Sequence, residues 1–161
     1  MTRACGDCTV CCTVLAIETA ELRKVPGVAC THCTTQGCGI YETRYPICRS
    51  YFCGWHGMAD LDESWRPDRS GLVLSPHDGG VEFLVFGGET ALRRAEFLDL
   101  LARLIARGTP AFLAVPGPPG YYPARTGLNV RLSTIDRMRW GDVLAGALAA
   151  AQRHAFVPMK P

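Results

Sequence analysis

The sequence predicts an α+β fold, in which an N-terminal loop-rich segment precedes a small mixed or antiparallel sheet with two main helices. After residue 70, strand and helix patterns follow one another in the order ββαββα, which is typical of helices packed on one face of such a sheet. All nine cysteines lie before residue 54. The 161 residues, of which 48% are hydrophobic, suffice for one compact domain.

The chain divides into stretches of different composition. Residues 1–56 form a cysteine-rich segment, and residues 57–70, which are polar and rich in Asp, Arg and Pro, form a linker or wrapping loop. Residues 71–161 form the α+β scaffold. We expect the segment and the scaffold to pack as a single compact unit, because the chain has little room for a second core.

The first half of the scaffold predicts a β-hairpin followed by a helix. The β-rich runs Gly71–Ser75 and Val81–Phe86 flank a Pro-His-Asp-Gly-Gly turn. The range Glu89–Arg107 predicts one amphipathic helix, which Gly108 ends. The apolar side chains of this helix are Leu92, Leu98, Leu101, Leu104 and Ile105.

The second half of the scaffold repeats this order in outline. Ala111–Val115 predicts a short buried strand, which ends at the Pro-Gly-Pro-Pro-Gly turn. The alternation of Leu128, Val130 and Leu132 with polar residues predicts a half-buried strand. A last helix follows, capped by Ser133 or Thr134. Its buried face is expected to consist of Trp140, Leu144, Ala147, Leu148 and Ala151.

Charge and hydropathy exclude several classes of function. Seventeen Lys and Arg against fifteen Asp and Glu give a net charge of +2, which is too small and scattered to indicate nucleic-acid binding. The apolar runs are shorter than the roughly 20 residues of a membrane-spanning helix, so no membrane segment is expected. The first residues lack the apolar stretch of a secretory signal, which favours a cytoplasmic location. The sequence does not indicate an oligomeric state.

The cysteines are too many and too clustered for ordinary packing. Four of them fall within eight residues at Cys5, Cys8, Cys11 and Cys12. A disulfide framework is disfavoured by the odd count, the missing signal and the ample apolar residues. A redox-active dithiol at a Cys-x-x-Cys pair is a further hypothesis. In a thioredoxin-like site a strand precedes such a pair, and no strand is predicted before the first pair here. Metal ligation is therefore the leading interpretation.

Spacing leaves the metal open between zinc and an iron-sulfur cluster. The Cys-x-x-Cys pairs that begin at Cys5 and Cys30 would make one tetrahedral zinc site, but five thiols would be unused. Cys5, Cys8 and Cys11, with two residues between each pair, also resemble the loop around a 4Fe-4S cluster, whose fourth ligand is distant in sequence. One iron-sulfur cluster with additional nearby thiols, or two metal sites, would account for the nine cysteines better than one zinc ion. The candidate ligands are Cys5, Cys8, Cys11, Cys12, Cys30, Cys33, Cys38, Cys48 and Cys53.

For one cluster we favour Cys5 and Cys8 with Cys12 or Cys11, completed by Cys38 or Cys48. Cys30, Cys33 and Cys53 would then form a second site with His32 or donate hydrogen bonds to the first. His56, close behind the last cysteine, is a further candidate, whereas His77 and His154 are expected to be ordinary surface side chains. Arg44 and Arg49 flank Cys48 and are candidates for stabilising negatively charged thiolates.

These motifs together resemble the CxxCxxCC family, also called the YkgJ-like cysteine cluster family. The resemblance is carried by Cys-Gly-Asp-Cys-Thr-Val-Cys-Cys at residues 5–12, Cys-Thr-His-Cys at residues 30–33, and the stretch from Gly37 to Trp55. It covers about a third of the chain and implies zinc or iron chelation by the cysteines. The family usually has proline directly after the arginine, whereas Arg44 is followed by Tyr45 and then Pro46.

The scaffold carries no convincing catalytic constellation, and no cofactor besides the metal is expected. Aromatic and polar residues after the rigid turn are a weak candidate for a ligand pocket: Tyr121, Tyr122, Arg125 and Asn129. The leading hypothesis is a cysteine-ligated iron-sulfur protein in electron transfer or in redox or iron sensing, with a redox partner or another protein. The alternative is a zinc-stabilised interaction module without redox activity. An enzyme that uses a redox dithiol is a third hypothesis.

Overall fold

A computed structural model describes residues 3–51, 53–128, 132–153 and 156–159 of the chain. The fold is mixed α+β, as predicted. A central sheet has helices on one face and the cysteine-rich segment on the other. No helix among the described residues is long and apolar enough to span a bilayer.

The cysteine-rich segment is built from short elements joined by turns. Helix α1 (Val10–Thr13) precedes the hairpin of β1 (Ile17–Glu18) and β2 (Arg23–Lys24). A second hairpin pairs β3 (Cys33–Thr34) with β4 (Gly37–Cys38). After a 3-10 turn come the helices α2 (Pro46–Ser50) and α3 (Gly54–Gly57).

Proline positions the start of helix α2. Tyr45 precedes Pro46 and has φ −53° and ψ 148°, the extended conformation that a following proline imposes. Pro46 then occupies the first helical position, where its missing N–H breaks no helical hydrogen bond. The consequence is a sharp turn into the helix that carries Cys48.

The central sheet has the strand order β5 (Leu72–His77), β6 (Gly80–Val85), β7 (Ala111–Val115) and β8 (Ala124–Gly127). Strands β5 and β6 form the predicted antiparallel hairpin, and β7 pairs antiparallel with β8. Strands β6 and β7 are parallel, so the sheet is mixed. The elements around it are α4 (Pro67–Ser70), α5 (Gly88–Leu92), α6 (Ala95–Ala106) and α7 (Trp140–Arg153).

Alternating side chains give the sheet two buried faces. On one face, Phe83 and Leu113 pack with Phe97 and Leu144 of the helices in the main core. On the other face, Val73, Leu84 and Ala114 pack with Val10 of α1, and half-buried Leu15, Val14, Tyr51 and Cys8 border this smaller cluster. The cysteine-rich segment therefore takes the place that a second helical layer has in a three-layer fold.

The single helix predicted over Glu89–Arg107 is wrong, because the structure breaks it at Arg93 and Arg94. Arg94 is extended, with φ −65° and ψ 136°. Its guanidinium donates to the Ser64 carbonyl at 2.9 Å and lies 6.0 Å from the Trp65 ring, contacts that a continuous helix would move. Two shorter helices, α5 and α6, result.

The strand predicted from Leu128, Val130 and Leu132 falls mostly on residues 129–131, which lie outside the described residues, and the fourth strand of the sheet, β8, covers Ala124–Gly127. Val130 lies outside the described residues, and the Leu132 N–H donates to the Leu128 carbonyl at 3.1 Å. The last helix has the predicted buried face. Its expected cap at Ser133 or Thr134 is replaced by Asp136, which accepts from the Met138 N–H ahead of α7.

Residues 57–70 wrap the scaffold and contribute to its core. Leu61 and Trp65 are 1% and 6% exposed and belong to the same core cluster as the helices. The Trp55 ring, just before this stretch, is also buried there. This wrapping places the last cysteine, Cys53, against the main core.

Candidate metal centre

The thiols converge on one cavity of about 430 Å³ between the cysteine-rich segment and the sheet. Seven cysteines line it, namely Cys5, Cys8, Cys11, Cys12, Cys30, Cys38 and Cys48. A second cavity of about 220 Å³ is lined by Cys5, Cys8, Cys11, Cys48 and Cys53. All nine cysteines are free thiols. The two cavities thus share a wall of four thiols, and cysteines that are distant in sequence become neighbours.

Main-chain bonds bring four of the thiols together in what we call the hairpin group, Cys12, Cys30, Cys33 and Cys38. The Cys30 N–H donates to the Cys12 carbonyl at 2.8 Å, and the Cys33 N–H donates to the Cys30 carbonyl at 2.9 Å. Cys33 and Cys38 are cross-strand partners in the β3–β4 hairpin. Cys12 also lines the larger cavity together with Cys5 and Cys8, so the expected cluster of these three cysteines stays a prediction.

The turn that carries Cys5 and Cys8 packs directly on this hairpin. The Cys8 N–H donates to the Cys5 carbonyl at 3.1 Å and closes the turn. Gly37 of β4 has φ +113°, and a Cβ at this position would lie 2.5 Å from the Gly6 carbonyl oxygen. Only glycine permits this approach of the two main chains.

Two further contacts position the turn of Cys5 and Cys8 and the residue Cys53. Asp7 in the first turn pairs with Arg66 at 2.8 Å, which ties the turn to the wrapping loop. A Cβ on Gly54 would lie 2.7 Å from the Leu74 Cβ, so this glycine lets helix α3 approach strand β5 closely. Cys53 directly precedes Gly54 and is thereby placed in the second cavity.

Lys24 supplies a buried positive charge beside the thiols. It is 5% exposed, and its Nζ donates to the carbonyls of Thr13 at 3.1 Å, of Val25 at 3.3 Å, and also of Leu15. Burial lowers the pKa of Lys24, whereas the neighbouring Cys30 and Cys12 raise it. Sequence reasoning missed this residue, because nothing in the local pattern distinguishes Lys24 from a surface lysine.

Burial and crowding raise the pKa values of several thiols. Burial is the main cause that raises the pKa values of Cys8, Cys33, Cys48 and Cys53. Neighbouring thiols of the hairpin group add to this effect at Cys33 and Cys48. The pKa of Cys12 is raised by its sulfur hydrogen bond with Cys11 and by burial. A raised pKa lowers the fraction of thiolate, the nucleophilic form of cysteine, at neutral pH.

Arg44, predicted as a neighbour of the cysteines, contributes an unused donor at this site. Its guanidinium lies 3.6 Å from the centre of the Tyr41 ring, and the Tyr41 hydroxyl lies 3.8 Å from the Cys5 sulfur. Within the described residues, the buried Arg44 Nε has no hydrogen-bond partner. Arg44 lines both cavities, so a sulfur-rich metal group held by these cysteines would offer the acceptor that this N–H lacks. The residues present thus fit such a group.

The other candidates have ordinary contacts. His32 lines the larger cavity with its Nε2 3.4 Å from the Tyr45 hydroxyl, and His56 lines the smaller one. His77 accepts from the Gly79 N–H, and His154 lies outside the described residues. The exposed Arg49 borders the smaller cavity.

Of the residues after the Pro-Gly turn that were predicted to form a ligand pocket, one lines the larger cavity. Tyr122 lines it, whereas Arg125 pairs with Glu82 at 3.0 Å, and Asn129 lies outside the described residues. Tyr121 forms a bridge with Pro158. Across the described part of the chain, no group of three or more His, Cys, Asp or Glu side chains is arranged so that it could hold a metal ion.

No protein-family model, curated protein or solved structure matched the chain. The resemblance to the CxxCxxCC family therefore stays a prediction from the sequence motifs.

Proposed function

We propose that the chain is a cysteine-ligated iron-sulfur protein that acts in electron transfer or in redox or iron sensing. The observation that carries this proposal is the convergence of seven thiols on one cavity beside the sheet. Thiolates are the soft ligands that iron-sulfur clusters require, and seven exceed the needs of a single tetrahedral ion. The resemblance to the CxxCxxCC family supports the same conclusion.

The chain's own cations would balance the charge of such a site. The Lys24 ammonium is buried close to the hairpin group, and the Arg44 Nε–H at the shared wall has no partner among the described residues. When bound, the cluster would supply a one-electron redox centre. Lys24 would stabilise the negative charge of the thiolates, and Arg44 would donate a hydrogen bond to sulfur.

The main-chain contacts of the hairpin group and the lining of the smaller cavity support a division of the ligands into two sets. The hairpin group of Cys12, Cys30, Cys33 and Cys38 forms one set of four. The second set contains Cys5, Cys8, Cys11 and Cys53, which line the smaller cavity together with Cys48. Each set holds enough thiols for a four-ligand site.

Anaerobic purification with iron and sulfide analysis tests this proposal. We expect a brown protein with visible absorption and equal amounts of iron and acid-labile sulfide. Cys33→Ser and Cys53→Ser should each lower the iron content, whereas the control Thr35→Ala, at an exposed neighbouring position, should retain it. A colourless protein with neither iron nor sulfide would refute the proposal.

A zinc-stabilised interaction module is the second candidate, favoured by the geometry of the hairpin group. Cys30 and Cys33 form a Cys-x-x-Cys turn, and Cys38 lies across the hairpin from Cys33. Together with Cys12, this arrangement is well suited to one tetrahedral zinc ion. This candidate predicts stoichiometric zinc, no sulfide and no redox signal. Removal of zinc by a chelator should then unfold the segment around residues 30–38.

A further inference from the structure

The wall of the larger cavity extends well beyond the thiols. Apolar residues Leu15, Ala16, Ile17 and Leu22 come from the region of the β1–β2 hairpin, and Leu84 comes from the sheet. Tyr122, Pro123 and Met159 complete this side. A metal site uses only the sulfur-lined part, because metal–sulfur bonds are about 2.3 Å long. The volume of about 430 Å³ is within the range of small-molecule pockets.

Hydrogen bonds from three parts of the chain hold this apolar wall in place. Lys24 donates to the Thr13 and Leu15 carbonyls and thereby fixes the chain that leads into β1. The Tyr122 hydroxyl donates to the Glu18 carboxylate at 2.6 Å. The Met159 N–H donates to the Gly120 carbonyl at 2.8 Å and draws the C-terminal stretch against the wall. The cavity is therefore a built feature of the fold.

The charged groups of the wall disfavour an anion. Arg44 is the arginine of this wall among the described residues, but it stacks on Tyr41 at the cysteine side, and its Nε–H is the donor assigned above to the sulfur of a metal group, so the apolar side keeps only carboxylates. The carboxylates in the wall are Glu18 and Glu82, and both have partners, since Glu18 accepts from Tyr122 and Glu82 pairs with Arg125 at 3.0 Å. Partnered carboxylates do not demand a cation, and they repel a negative charge. The favoured ligand is neutral.

A hydroxyl pair provides one donor within this apolar wall. Tyr51 Oη and Ser75 Oγ, both in the wall, lie 3.1 Å apart. One of the two hydroxyls donates to the other, so the second hydrogen is available for an acceptor atom in the cavity. Carbonyl oxygen is a neutral acceptor that suits a single O–H donor.

We propose that this cavity binds a small, neutral, largely apolar ring molecule that carries a carbonyl oxygen. The ring packs on the apolar wall, and the carbonyl oxygen accepts the free hydrogen of the Tyr51–Ser75 pair. The bound molecule lies in the same cavity as the thiols. The proposal extends the function argued above, but the binding step itself does not depend on which metal the cysteines hold.

Fluorescence titration with prodan, a neutral naphthalene ketone, tests this site on the full chain. We expect saturable binding with a blue-shifted emission. Ala16→Phe fills the cavity with a ring and should weaken binding at least about tenfold, which corresponds to about 1.4 kcal/mol. The matched control Ala106→Phe adds the same ring at an exposed position of α6 and should bind as the wild type does.

Two further measurements test the chemistry of the ligand. The double variant Tyr51→Phe/Ser75→Ala removes both hydroxyls and should weaken prodan binding but leave phenylnaphthylamine, which has no carbonyl, unaffected. Anilinonaphthalene sulfonate, an anion of similar size, should bind at least about tenfold more weakly than prodan to the wild type. Equal binding of the anion, or an unchanged prodan titration of the double variant, would overturn the assigned ligand class.

Circular dichroism and metal analysis on the same samples keep the outcomes distinct. Folded wild type that shows no saturable prodan binding overturns the cavity proposal, even when iron and sulfide are present. Binding by a protein without iron or sulfide supports the cavity while refuting the iron-sulfur function. If Ala16→Phe fails to fold, Leu22→Glu, at a half-buried wall position, should give the same loss, and unchanged binding by that variant overturns the proposal.

Discussion

At the scale of single residues, Gly37 and Arg44 connect the sequence to the proposed site most directly. Gly37 permits main-chain contact between the first cysteine turn and the β3–β4 hairpin. Arg44 brings to the wall that both cavities share a buried N–H that no described residue pairs with.

Gly37→Ala should lower metal content, because its Cβ would lie 2.5 Å from the Gly6 carbonyl oxygen and push the turn of Cys5 and Cys8 away. The matched control is Gly27→Ala, which also has a positive φ, +74°, but no atom within 4 Å of the added Cβ. Gly27→Ala should lower the free energy of unfolding by about 1 kcal/mol and leave the metal content unchanged. Metal analysis and thermal unfolding of both variants measure these effects. Equal metal content in Gly37→Ala and Gly27→Ala would contradict the close contact between Gly37 and Gly6.

Arg44→Gln should make the reduction potential of the bound cluster more negative. Loss of the cation and of its N–H donor destabilises the reduced, more negatively charged state. Potentiometric titration of the loaded protein measures the shift. Arg49→Gln, at an exposed position, is the control and should shift the potential less. A larger shift for Arg49→Gln would reverse the roles assigned to the two arginines.

At the scale of elements, the sheet separates the helical core from the cysteine-rich segment. Phe83 on the helix face of β6 is fully buried and meets the Phe97 ring edge-on at 5.1 Å. Leu84, one residue later, packs on the opposite face with Val10 of α1. Adjacent residues of one strand therefore stabilise different layers.

Phe83→Ala should destabilise the fold by about 3–5 kcal/mol, because it removes a fully buried ring from the main core. Urea unfolding followed by circular dichroism measures the change. Met138→Ala, at a side chain that is 92% exposed, should change stability by less than about 0.5 kcal/mol. A similar small effect of both substitutions would contradict the assigned core.

The elements also explain what the sequence could and could not predict. The β5–β6 hairpin and the buried face of α7 follow from local patterns, which their tertiary contacts reinforce. The break at Arg94 depends on contacts with Ser64 and Trp65, which are distant in sequence. In the candidate site, the clustering of the cysteines was predictable from spacing. Their grouping and the role of Lys24 depend on main-chain bonds that spacing does not encode.

At the scale of the whole molecule, the two buried layers differ in size. The helix side of the sheet belongs to an extensive core that includes Trp55 and Trp65, whereas Val10, Val73, Leu84 and Ala114 form the small core under the cysteines. Such a small apolar cluster gives little stabilisation by burial alone. The cysteine-rich segment should therefore depend on bound metal for its stability more than the scaffold does.

Chelation of the metal should unfold the segment locally. Hydrogen exchange is expected to accelerate at the amides of residues 30–38 after metal removal, while the amides of β6, β7 and α6 stay protected. Mass spectrometry of peptides from the loaded and the metal-free protein measures both regions. Loss of protection throughout the chain, or no change in residues 30–38, would contradict this division of stability.

The central claim is that the cysteines hold an iron-sulfur group. Iron-edge X-ray absorption on the anaerobically purified protein tests it most directly, because the ligand shell of the metal is read without assumptions about the fold. An iron-sulfur group held by the cysteines should give a first shell of sulfur atoms around iron together with iron–iron scattering. Iron ligated by nitrogen or oxygen, or a protein that contains zinc and no iron, would contradict it.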